Sequence, residues 1–148
     1  EPYVDAAGTQ QHWSKVWNFI PGGSDYTWFI QAPQGSPMHA DPLCEVGCPY
    51  AVRGFDFDTV GVLWLGDLVW RNGRWLANPA HVHDTGLARS VSAARRERQH
   101  GPAHEKLRAA LAQAYRILLT RGMTGCHLWI EDAETRAHLR ASLGLANN

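Results

Sequence analysis

Cysteine is scarce, with three residues in 148. That excludes a disulfide scaffold and makes a reduced, cytoplasmic setting the simplest expectation. Net charge is absent, because 14 Lys+Arg stand against 14 Asp+Glu. A domain that binds nucleic acid through bulk positive charge is thereby excluded, while a local basic groove is not. No run approaches the roughly 18 apolar residues of a membrane span, so no membrane partner is expected. No internal repeat is present. Three catalytic signatures are missing as well: a G-x-x-x-x-G-K-S/T phosphate loop, a G-x-S-x-G nucleophile elbow and an H-E-x-x-H zinc motif. Glu1 rather than Met opens the sequence, which reads as a fragment or a processed chain. Glu1 to Gln11 has neither the basic nor the apolar stretch of a secretory signal.

What is present is the material of one domain. Hydrophobic residues make up 45% and include seven Trp, so composition favours a folded chain with a single core. The first 47 residues are rich in Gly, Pro, Ser and Trp and read as mostly irregular, with short pieces at Trp13–Ile20 and Tyr26–Ile30. The run Thr59–Leu65 is nearly continuous in apolar character, as in a parallel strand buried on both faces. Leu68–Leu76 places Asn72-Gly73 between two Trp-bearing arms, the signature of a β-hairpin with a type I′ turn. Asn78 to Gly101 reads as a loop followed by a charged stretch, Arg89–Gln99, suited to a solvated helix face or to phosphate contact.

The helical period is clearest in Ala103–Thr120. There Leu107, Leu111, Ala114, Tyr115 and Leu118 share one face, with Gly101-Pro102 before it and Gly122 after it. Cys126–Ile130 reads as a strand. Asp132 is a suitable N-cap for a last helix, Ala133–Leu143, closed by Gly144. Trp129 and Tyr115 fall at core positions by period. Strand, hairpin, helix, strand, helix is a layered α/β order.

Two segments carry the chemistry: Cys48–Asp58, which feeds the apolar strand, and Tyr115–Gly122, which ends the long helix. Gly54-Phe55-Asp56-Phe57-Asp58-Thr59-Val60 resembles motif V of superfamily 1 helicases, and Tyr115–Gly122 resembles their motif VI. Val46-Gly47-Cys48, Tyr50, Asp67-Leu68-Val69, Arg71, Gly73, Trp75 and Leu118–Gly125 make the chain more similar still to the Schlafen group 3-like DNA/RNA helicase family. The resemblance covers roughly residues 45–143. It implies a RecA-like second domain over 45–148, with a mostly parallel sheet, flanking helices and an inserted hairpin. Residues 1–44 are then the irregular N-terminal part of that domain.

The resemblance also implies roles. Arg121 matches the motif VI arginine, the finger that stabilises charge on a transferring phosphoryl group. Gly54, Asp56, Arg53 and Thr120 would line the nucleotide cleft. Asp56 is one methylene shorter than the Glu that contacts ribose in some relatives, and Arg53 replaces a Gln or Lys. Tyr50 would offer an aromatic face to a base. ATP with Mg²⁺ is implied, completed by an N-terminal RecA-like domain of the same protein, with DNA or RNA as the other partner. The isolated chain, without a phosphate loop, is expected to be inactive.

Blander readings accompany each role. Arg121 can cap the carbonyls at its helix end. Asp56 and Asp58 can be turn formers before the strand. Gly54 can be an ordinary turn glycine. The hairpin Trp residues suit packing better than base stacking. His39, Cys44, Cys48, His81 and His83 are possible zinc ligands at weakly diagnostic spacings. A stand-alone adaptor that binds nucleic acid or a protein without chemistry is the alternative function.

Overall fold

The computed structural model describes residues 2–4, 7–12, 14–17, 31, 34–35, 37–41, 43, 45–97 and 100–145. They fall into two compact units, Glu1–Gly54 and Phe55–Asn148.

Among its described residues the first unit contains short elements. β1 (Pro2–Val4) pairs antiparallel with β2 (Gln10–His12), and β3 (Val16–Trp17) pairs parallel with β4 (Glu45–Val46). Two single-turn helices follow the same pattern of brevity, α1 (Pro37–Ala40) and α2 (Pro49–Val52). Pro49 opens α2 where its missing N–H has no helical partner to lose. The piece expected at Tyr26–Ile30 lies outside the described residues, as does half of Trp13–Ile20.

The second unit holds the core. β5 (Phe57–Trp64) runs parallel to β8 (Gly122–Ile130), in a register that sets Val60 against Cys126 and Trp64 against Ile130. Both strands exceed their sequence expectations, by two residues in β5 and four in β8 at the N-terminal ends. Between them come the hairpin β6 (Leu68–Arg71) and β7 (Arg74–Ala77), then α3 (Ala88–Arg96) and α4 (Pro102–Leu119); α5 (Ala133–Ser142) follows β8. The architecture is mixed α/β. Among the described residues each sheet has two strands, and the larger parallel sheet expected from sequence is not among them.

The hairpin turns where expected. Asn72 and Gly73 have φ of 51° and 77°, the two positive values a type I′ turn requires. Its Trp residues pack rather than present a platform. Trp70 meets Trp75 edge to face at 5.4 Å and stacks on the His138 ring of α5 at 3.6 Å. The apolar face of α4 buries Leu107, Leu111 and Tyr115 against Val62 and Trp64 of β5 and Ile130 of β8. The charged stretch begins as a helix, α3, which buries Val91 and Ala94 and exposes most of its polar residues.

Two expectations need correction. β5 is not buried on both faces: Val62 and Trp64 are buried, whereas Thr59 and Gly61 are exposed and Leu63 is half-buried. Trp129 is not core, being 45% exposed. The reason is the same for both. Side chains alternate across a strand, and the core helices gather on the Val62–Trp64–Ile130 face. Trp129 pairs with Leu63 on the other face.

The hairpin is tied to α5 by a partly buried polar knot. Asp132 caps α5 by accepting from the Thr135 amide at 2.8 Å and the Thr135 hydroxyl at 2.6 Å. Thr135 is fully buried and accepts the Trp70 amide at 2.9 Å. Arg71 grips both Asp132 oxygens, at 2.8 Å for Nη1 to Oδ1 and closely for Nη2 to Oδ2. That grip holds the Asp132 carboxyl well below the usual carboxylate range.

Candidate functional site

Parallel pairing of β5 with β8 decides the geometry. It sets the segment that leads into β5 beside the segment that ends α4, although about 65 residues separate them in sequence. The Phe57 amide donates to the Arg121 carbonyl at 2.8 Å. Thr124 Oγ1 donates to the Asp58 carbonyl at 2.5 Å. One backbone bond and the Thr124 hydroxyl therefore stitch the start of β5 to the end of α4 and the start of β8.

Arg121 is the side chain that crosses this seam. Its Nη1 donates to the Phe55 carbonyl at 3.4 Å and lies 3.3 Å from Asp56 Oδ1. Its side chain is 25% exposed, while that of Asp56 is 61% exposed. Nε of Arg121 is buried and has no partner among the described residues. The guanidinium does not cap α4. That helix end is closed by Thr120 instead, whose hydroxyl donates to the carbonyls of Arg116 at 2.9 Å and Ile117 at 3.2 Å.

The other sequence candidates stand as follows. Asp58 lies inside β5 rather than in a turn before it, because the strand begins at Phe57. Gly54 has φ of 87°, and nothing lies within 4 Å of where a Cβ would stand. Its requirement is conformational, not one of space. Arg53 ends α2 in extended conformation, with its guanidinium carbon 5.4 Å from the centre of the Tyr50 ring, a cation–π distance. Tyr50 is 40% exposed. Tyr50, Arg53 and Gly54 belong to the first unit; Asp56, Thr120 and Arg121 belong to the second.

Of the possible metal ligands, His39 lies in α1, Cys48 at the N-cap of α2, and His81 and His83 in the loop after the hairpin. Cys44 lies outside the described residues. Among the described residues no three His, Cys, Asp or Glu side chains are grouped so that they could hold a metal ion.

One polar cluster escaped the sequence reading. The Tyr115 hydroxyl donates to Asp67 Oδ1 at 2.6 Å and accepts the Leu65 amide at 3.2 Å. Burial pushes the Asp67 carboxyl up, against the lowering effect of the Tyr115 hydrogen bond. Burial, then the Asp67 charge, pushes the Tyr115 phenol well above its ordinary value. An open cleft of about 560 Å³ lies nearby, lined by Gly66, Arg71, His81, Glu131 and Asp132 among others. The signal available in sequence was a Tyr on the buried face of α4, since a buried hydroxyl needs a partner.

Comparison with known proteins agrees with the motif reading at the family level. Residues 4–132 match the family model described as Schlafen group 3, DNA/RNA helicase domain. The chain belongs to that family, and its function class is helicase-related and nucleic-acid-directed. No curated protein and no solved structure matches the chain. No helix among the described residues is long and apolar enough to cross a membrane.

Proposed function

We propose that this chain is the C-terminal RecA-like part of a superfamily 1-type NTPase acting on DNA or RNA, with Arg121 as its arginine finger. The observation that carries this reading is the seam itself. The Phe55–Asp58 and Tyr115–Gly122 segments meet at one end of the parallel pair, where Arg121 is partly exposed with its Nε unpartnered among the described residues.

The chemistry asked of Arg121 is electrostatic. Phosphoryl transfer spreads negative charge over the γ-phosphate oxygens, and a planar guanidinium meets that charge with two parallel hydrogen bonds. Lys cannot copy this geometry. The uncommitted donors of Arg121 fit such an anion. Asp56 and Thr120 would line the nucleotide cleft; for Gly54, Arg53 and Tyr50 the nucleotide and base contacts are those the family resemblance implies. Bound Mg²⁺ would neutralise phosphate charge and belongs, with the phosphate loop, to the N-terminal RecA-like domain of the same protein. Without that domain these 148 residues do not turn over ATP.

The test is steady-state ATPase of the full-length protein with single-stranded DNA or RNA. Arg121→Ala is expected to lower kcat by about 10³-fold or more. An Arg121→Ala enzyme within twofold of wild type sinks the reading, as does Arg121-dependent turnover by the 148 residues alone.

A further inference from the structure

Asp56 stands where some relatives place a ribose-contacting Glu, yet here its carboxylate faces Arg121 at 3.3 Å. We propose that Asp56 is a positioning residue for Arg121 rather than a ribose ligand. This rests on the finger reading given above.

A guanidinium has five N–H groups in a rigid fork. Among the described residues only Nη1 is committed, to the Phe55 carbonyl and to Asp56. Nε is buried without a partner, and Nη2 has none among the described residues. Nε and Nη2 together form one complete bidentate edge, the edge that takes two oxygens of a phosphate or carboxylate. The acceptors therefore hold the one nitrogen outside that edge; Nε itself is shielded from solvent in this conformation, so Nη2 is the donor left to meet an incoming oxygen.

Asp56 has the reach for this task and little else. It sits one residue before β5, whose Phe57 amide is pinned to the Arg121 carbonyl at 2.8 Å. The backbone of each residue is thus fixed relative to the other. A short carboxylate suffices to span the remaining gap. Held at one end by Phe55 and Asp56, the guanidinium loses part of its rotational freedom before any phosphate arrives, which is the preorganisation that a finger needs.

The experiment is a kinetic cycle on the full-length protein, with ATP and 2′-deoxy-ATP as substrates. Asp56→Ala is expected to lower kcat by about 10- to 50-fold with the KM for ATP within about threefold, as loss of a transition-state contact requires. Asp56→Glu, which keeps the charge, is expected to recover most of kcat, so a simple folding defect is separated from lost positioning. In the Arg121→Ala background, Asp56→Ala is expected to cost less than twofold more, because the residue acts through Arg121. Three results overturn the inference alone: unchanged kcat in Asp56→Ala, full multiplication of the two losses, or a KM rise confined to the ribose-bearing substrate. Wild-type protein with no ATPase, or with ATPase indifferent to Arg121→Ala, overturns the finger reading and this inference with it.

Discussion

The Tyr115 hydroxyl sits between the Asp67 carboxylate, to which it donates at 2.6 Å, and the Leu65 amide, from which it accepts at 3.2 Å. Its ring stacks on Trp64 at 3.9 Å. One side chain of α4 thus serves the core with its ring and the strand-to-hairpin connection with its oxygen. Tyr115→Phe keeps the stack, strands the Leu65 amide and leaves Asp67 Oδ1 with the Leu68 amide, which donates to it at 2.9 Å. A loss of about 1–3 kcal/mol in urea unfolding is expected, since a buried group left unpaired costs its desolvation. A change below about 0.5 kcal/mol would show that water replaces the hydroxyl.

The same oxygen predicts an alkaline limit. The folded-state phenol titrates above its unfolded value of 10.0, so its contribution is complete below pH 10 and is lost as pH rises further. The wild-type urea midpoint should fall between pH 10 and 11.5, and Tyr115→Phe should flatten that limb. Parallel limbs in the two proteins would assign it to other groups.

Asp132 acts in the opposite direction. Chiefly through Arg71, its folded-state carboxyl lies below its unfolded value of 3.8. Its contribution is therefore complete above that value and is lost as pH falls below it. Asp67, raised by burial, contributes with the reverse sign and offsets part of this limb. Asp132→Asn should flatten the acid limb and lower stability at pH 7 by about 1–3 kcal/mol through the weakened cap and the unpaired Arg71. Denaturant titrations at pH 3 and pH 7 check both.

Core position and exposed strand position should differ sharply. Leu107 is fully buried on α4, and Leu107→Ala is expected to cost about 2–5 kcal/mol. Trp129→Ala, at a 45% exposed site, should cost less than about 1 kcal/mol. Comparable losses in the two variants would mean that the Trp129 face is covered in solution.

Gly73→Ala tests the hairpin turn. No atom lies within 4 Å of the added methyl, so the cost is that of φ at 77° alone. About 1 kcal/mol is expected, or a Tm lower by about 2–4 °C in a chain of this size.

Elements written in adjacent residues were legible before folding. The period of Leu107, Leu111 and Tyr115 marked α4, Asn72-Gly73 marked the hairpin, and Asp132 marked the start of α5. Each depends on contacts within one or two turns of chain, which composition and spacing encode directly. The family was legible for a related reason, because the resemblance to it rested on short contiguous segments.

What needed three dimensions was everything that joins distant segments. The exposure of Trp129 depends on which face of β5 and β8 the helices cover, and the period of a strand does not say which. Arg71, Asp132 and Thr135 look like surface residues until the hairpin is laid against α5. Asp56 and Arg121 were each singled out from sequence, yet their ion pair follows only from the parallel register of β5 with β8. Local chemistry specified the pieces of this protein. The long-range pairing of two strands, which no short window of residues contains, brought the pieces of the candidate site together.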